Sequence, residues 1–247
     1  MKKIILFLLI STSTAALSGQ ENKQQFVATD MANFWVAYDK IITTTDTIQQ
    51  YKILQEDYLG KASAGLNHLI ENKRYTKAEF LTAIVNYPEF WKSIRANSLK
   101  TNVVETEIET EIQKLKTIYP DLKPSTIYFS MGAFRSNGTI KGNNVLISCE
   151  MALTDQNVNT SDLPENLQTY YKLYNPLATI GLLATHEYVH TQQKLPLDNL
   201  LCNTLYEGVA EFVSCLATNK PSTTPSFGFG KQNETLVKET YIKELFL

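Results

Sequence analysis

The chain has 247 residues, 43% hydrophobic and 19% charged. At ~150 residues per domain this is one to two domains, long enough to bury a core without staples. The 23 Lys and Arg against 25 Asp and Glu leave a formal net charge of −2. That balance lacks the basic excess of a nucleic-acid binder, and no nucleic-acid partner is expected. Three cysteines are too few for a disulfide scaffold. The chain has only three histidines, so where they fall is informative.

Residues 1–19 have the layout of a secretory signal peptide. Lys2 and Lys3 precede an unbroken apolar run, Ile4 to Ile10, and small residues follow up to Gly19. The run is too short for the ~20 apolar residues a membrane span needs. A lipid anchor would need a cysteine where Gln20 stands. The expectation is a secreted or periplasmic protein, with no stable membrane insertion once the signal is removed. Cys149, Cys202 and Cys215 are read as three small buried hydrophobes rather than a disulfide plus one.

From residue 29 to 100 the pattern predicts short helices. Thr29 or Asp30 caps a segment with Phe34, Trp35, Tyr38, Ile41 and Ile42 at helical spacing. A turn at 43–46 leads to a second helix that ends at Gly60. Thr76 and Glu79 have capping-box spacing and open a third, which Pro88 breaks. Residues 89–97 make a further short helix. The aromatic residues of these segments are expected in the core.

Residues 101–118 read as a helix. Val104, Ile108, Ile112 and Leu115 form its apolar side, and Glu105, Glu107, Glu109 and Glu111 a solvated acidic face. Thr126–Ser130 and Val145–Cys149 are β-rich, and the glycine-bearing segment between them reads as a joining loop. Residues 154–174 read as polar and irregular.

Asn175-Pro176 is a helix start, and that helix should run to about Lys194. Within it lies His186-Glu187-Tyr188-Val189-His190, an H-E-x-x-H. Histidines four apart stand on one helical face, where two imidazoles can hold one Zn²⁺. Glu187, beside His186, is placed to act on a water as general base. Sixteen residues after His190 comes Glu207-Gly208-Val209-Ala210-Glu211, on a second helix from about Asp198 to Thr218. Its apolar face holds Leu201, Leu205, Val209, Phe212 and Leu216. Glu207 and Glu211 share another face. Glu207 is assigned as the third metal ligand, and Glu211 as acceptor for the free N–H of a ligand histidine. The reverse assignment stays open. Gly208 would permit close helix approach beside the metal.

The H-E-x-x-H, gap, E-G-x-A-E arrangement resembles the gluzincin metallopeptidases, the thermolysin and zinc-aminopeptidase class. A broader resemblance covers most of the chain. It is to an exported bacterial family of predicted zinc-dependent proteases related to the gliding-motility lipoprotein B group. Asn33–Asp39, Tyr87–Arg95, Ile127–Gly132, His186–Gln193 and Glu207–Phe212 carry it.

The resemblance implies an α+β, mainly α, zincin-like metallopeptidase domain with a small sheet over the H-E-x-x-H helix. A helical region at 26–124 and a catalytic region at 125–247 would form one compact unit. It further implies that Asn144–Glu150 is the edge strand that holds an extended substrate. The implied activity is peptide-bond hydrolysis, with Zn²⁺ as cofactor and a peptide or protein as substrate. The alternative is a catalytically inactive zinc-binding surface or assembly protein of the same fold. Members of this family continue past the position of Leu247 with a further helical region, so this chain looks short. Gluzincins also need a side-chain donor for the oxyanion. Arg135, Tyr206 and Tyr241 are the candidates here, and His68 is read as a packed or surface helix residue.

Overall fold

The β-rich segments do form strands, but not as two strands joined by a loop. In the computed structural model, which describes residues 24–244, one mixed sheet has the order β1-β2-β4-β3. Its strands are β1 (Gln25–Val27), β2 (Thr126–Ser130), β3 (Gly138–Lys141) and β4 (Asn144–Ser148). β2 runs parallel to β1 and to β4, with Phe129 opposite Ile147; β3 folds back antiparallel on β4, with Ile140 opposite Val145. The segment read as a loop therefore contains a strand. Gly142, at φ +57°, makes the reversal from β3 to β4. A glycine in that backbone region at the first central position suits a two-residue hairpin. One consequence corrects the edge-strand expectation: β4 lies inside the sheet, and β3 is the edge.

The helices around this sheet are α1 (Thr29–Ile41), α2 (Thr47–Ile53), α3 (Ala64–Lys73), α4 (Lys77–Asn86), α5 (Pro88–Ser98) and α6 (Thr101–Ile118), followed after β4 by α7 (Cys149–Ala152), α8 (Glu165–Leu173), α9 (Ile180–Gln192), α10 (Leu200–Thr218), α11 (Pro225–Gln232) and α12 (Glu234–Glu244). The architecture is a mainly helical α+β one. The expected aromatic core is present: Phe34, Trp35, Tyr38, Phe90 and Trp91 are buried, with the Phe34 and Trp91 rings 4.8 Å apart. One continuous cluster of buried side chains runs from Met31 to Ala217. The Tyr58 hydroxyl, in the segment between α2 and α3, donates to the carbonyl of Met131, the residue just after β2, over 2.5 Å.

Several local expectations need correction. Neither Thr29 nor Asp30 caps α1. Asp30 is buried and instead accepts from the Ser63 amide and hydroxyl, at 2.9 and 2.5 Å. Ser63 in turn caps α3, a helix the sequence pattern did not suggest. The capping box of Thr76 and Glu79 is present at α4. α6 buries its four apolar residues as expected, but Glu111 is buried with them, 2.8 Å from Lys114 and 3.2 Å from Lys220. The stretch read as irregular contains α8. The stripe Leu201, Leu205, Val209, Phe212 and Leu216 on α10 lies in solvent rather than against the core. Cys149 is buried, but Cys202 and Cys215 are only half-buried; all three are free thiols.

Among the described residues, no helix is long and apolar enough to cross a membrane. The segment read as a signal peptide and the position of Leu247 lie outside the described residues.

Candidate metal centre

α9 is the helix that carries the site, and it is held on every side. A 3₁₀ turn at Pro176–Thr179 leads into it, in place of the longer helix expected from Asn175. It packs against α6, α10, β3 and β4. Its residues from Ile180 to Leu182, Ala184, Thr185 and Glu187 to His190 are buried, as suits an internal helix. At Gly181 a Cβ would lie 2.8 Å from Glu111 Cγ, so only glycine lets α6 come this close. The Tyr188 hydroxyl accepts from the Ser125 amide at 2.9 Å and donates to Gln24 Oε1 at 3.1 Å. That fixes the rotation of α9 relative to the start of β2.

The fixed rotation turns both histidines toward α10. His186 Nε2 and His190 Nε2 are 3.0 Å apart. Glu207 Oε2 lies 3.5 Å from the first and 3.4 Å from the second. A tetrahedral ion with ligand bonds of ~2.0–2.1 Å needs donor atoms ~3.3 Å apart. The triangle fits, and these three residues could hold one metal ion.

The other faces of the rings are hydrogen-bonded. His186 Nδ1 is 3.1 Å from Glu211 Oε2. His190 Nδ1 is 2.8 Å from Gln193 Oε1, while Gln193 Nε2 donates to the Tyr206 carbonyl at 3.0 Å. A carboxylate and an amide oxygen only accept, so each Nδ1 carries the proton. With Nδ1 so held, Nε2 is the nitrogen left to turn its lone pair to a metal ion, as ligation requires. Tyr206 also stacks on the His190 ring, centroids 4.2 Å apart.

The electrostatics favour a cation. Burial works against protonating His186, but hydrogen bonds to Glu207 and Glu211 outweigh it and raise its pKa to about 9. Hydrogen bonds from His186 and His190 hold Glu207 well below the usual carboxylate range. The hydrogen bond from His186 also lowers Glu211. Glu187 behaves oppositely: burial raises it, against the pull of the two histidines.

Glu187 is 8% exposed and lines a cleft of about 570 Å³ together with His186, Glu207 and Glu211. The edge strand β3 lies directly on it. A Cβ at Gly138 would come 2.8 Å from Glu187 Oε1 and 2.9 Å from its Cγ. The missing side chain at Gly138 is thus what gives the Glu187 carboxylate its room. The far wall is apolar and aromatic, with Met151, Tyr170, Tyr174 and Leu183.

All five residues singled out at this site, His186, Glu187, His190, Glu207 and Glu211, come together. The expected donors fare differently. Arg135 lines the cleft, but its guanidinium is paired with Glu79 and donates to the Lys73 carbonyl at 2.6 Å. Tyr206 is taken up in the stack on His190. Tyr241 sits on α12, and the cleft lining does not include it. His68 is on α3, 3.4 Å from the Asn144 amide nitrogen, and is not among the cleft residues. Three participants were missed. Gln193 stands three residues after His190, a spacing that places it within reach on the helix. Gly138 carried no periodic signal. Tyr174 lay in the stretch read as irregular; its hydroxyl is buried without a hydrogen-bond partner among the described residues.

Comparison with known proteins finds no family model, no curated protein and no solved structure that matches the chain.

Proposed function

We propose that this chain is an exported zinc metallopeptidase of the gluzincin type. The observation that carries the proposal is the convergence of His186 Nε2, His190 Nε2 and Glu207 Oε2 at tetrahedral spacing, with a buried carboxylate beside them in a cleft. The donor set is two imidazoles and a carboxylate, which suits Zn²⁺. Bound there, zinc would supply Lewis acidity and bring the pKa of water toward ~7.

The chain's own residues divide the remaining work. Glu211 and Gln193 hold the two imidazoles in the tautomer that offers Nε2. Glu187 accepts the proton of the attacking water and later delivers it to the leaving amine. Its burial raises its basicity toward that task. β3 offers an extended peptide a strand edge beside Glu187, and the apolar wall takes up substrate side chains. Tyr174 lines the cleft, and its hydroxyl is buried without a partner among the described residues; it is the side chain we assign to the developing oxyanion.

The test is Glu187→Gln. It should retain the metal and abolish hydrolysis of a broad peptide library. Hydrolysis that survives the substitution would end the mechanism.

The engagement of Arg135 by Glu79 and of Tyr206 by His190 favours a second reading, a zinc-binding surface or assembly protein without catalysis. Stoichiometric zinc in the wild-type chain with no turnover on that library selects it.

A further inference from the structure

We infer that α10 pairs with α10 of a second copy of this chain, through the stripe Leu201, Leu205, Val209, Phe212 and Leu216. An inward side of α10 buries the small residues Ala210, Ser214 and Ala217 against the core, and Glu207 and Glu211 face the metal group. The remaining side is this stripe. Its members step by four, four, three and four, the spacing of a helix–helix seam. They are 45%, 58%, 45%, 68% and 58% exposed. A surface helix usually turns such a stripe inward; here nothing among the described residues covers it.

Area, charge and backbone favour a second copy as the occupant. The five side chains leave on the order of 500 Å² of apolar surface in water, at the upper end of the largest patch on an ordinary monomer. A standard interface buries ~800 Å² per partner, a little over half of it apolar, so the stripe supplies about the apolar share of one.

Pairing about a twofold axis sets the stripe against itself, which requires that it not repel itself. The only charged residues of α10 are Glu207 and Glu211, and both lie away from the stripe. The helix has no Lys or Arg. It therefore lacks the basic flank that draws an amphipathic helix to an anionic lipid surface.

Gly208 lies on the same side, between Leu205 and Phe212. A Cβ there would meet nothing within 4 Å, so no contact among the described residues requires a glycine, contrary to the close approach expected beside the metal. Glycine costs a helix ~1 kcal/mol relative to alanine. A second α10 crossing at Gly208 could approach the backbone closely, which gives this residue a use. Because Glu207 precedes Gly208, the same pairing would brace the helix that carries a metal ligand.

Sedimentation equilibrium of the purified chain between ~1 and ~100 µM tests this. We expect a dimer with a dissociation constant in the low micromolar range. Phe212→Glu and Leu205→Glu should each weaken it at least ~50-fold, because a charge would be buried in the seam, while the far-UV circular dichroism stays unchanged. Gly208→Ala should weaken it as well, despite favouring the helix. In the wild-type chain, amide exchange across residues 201–216 should slow as concentration rises through the same range. Monomer at ~100 µM, or a dimer indifferent to Phe212→Glu and Leu205→Glu, overturns the proposal. A monomer that instead binds phosphatidylcholine vesicles through these residues overturns it too, in favour of a lipid surface.

Discussion

Gln193 holds His190 in place: its side-chain oxygen lies 2.8 Å from His190 Nδ1, and its nitrogen donates to the backbone carbonyl of Tyr206 on α10. One amide thereby links the two helices of the site and sets which ring nitrogen faces the candidate metal position. Gln193→Ala should lower metal affinity ~10–100-fold with the fold intact. Gln193→Glu, which keeps an acceptor at that place, should restore most of it. Competition against a chromophoric chelator reads both values. Unchanged affinity in the alanine variant would remove Gln193 from the site.

Gly138 should tolerate no side chain. With Glu187 Oε1 only 2.8 Å from where a Cβ would stand, Gly138→Ala must displace either the carboxylate or the edge strand. A misplacement of ~1 Å in such a group costs on the order of 10²-fold in rate. Peptide hydrolysis should fall by that much while metal content holds. Full activity in the alanine variant would show that Glu187 has more freedom than the packing allows.

Tyr174→Phe removes a hydroxyl that makes no hydrogen bond among the described residues. A structural role would leave kcat alone, because no bond is lost. As the oxyanion donor it should matter only in the transition state, so kcat should fall ~10²-fold with KM little changed. Equal kinetics in the two proteins would reject the assignment.

Glu150 gives a pH test away from the metal group. Its carboxylate is buried and accepts from the amides of Gly132 and Phe134, at 2.7 and 3.1 Å. Burial outweighs those bonds and raises its pKa from 4.5 to about 7. The groups around it are Tyr58, Tyr75, Tyr171 and Cys149, none of them cationic. Between the two pKa values the folded chain holds a proton that the unfolded chain has lost. Stability from this group is therefore complete below pH ~4.5 and declines as pH rises through ~7, by about 3 kcal/mol at most. Glu150→Gln loses an acceptor but cannot ionise. It should be less stable than wild type at pH ~4.5, and the gap should close or reverse by pH ~8. Urea unfolding at the two values measures it; a constant gap would mean that Glu150 titrates normally.

The legibility of site and fold differed for identifiable reasons. His186 with His190, and Glu207 with Glu211, were readable because a spacing of four on a helix determines a shared face whatever surrounds it. The helices at 29–118, α3 excepted, were readable because their aromatic and aliphatic residues repeat with that period. β3 was not: Gly138–Lys141 is too short to show alternation and is flanked by turn-forming residues. Asp30 looked like a cap because Asp suits that role, but its partner, Ser63, is thirty-three residues away. The stripe on α10 was legible as an apolar face and not as an exposed one, since periodicity does not say whether anything packs against a face. Gln193 stood at a readable spacing, yet its role depends on the position of Tyr206 on another helix.

Metal content tests the account most directly. Purified without chelators, the wild-type chain should carry about one zinc per chain by elemental analysis, and Glu207→Ala should carry less than ~0.1. A wild-type chain below ~0.1 zinc, or an alanine variant that binds as much as wild type, would contradict the assignment of His186, His190 and Glu207 as a metal centre.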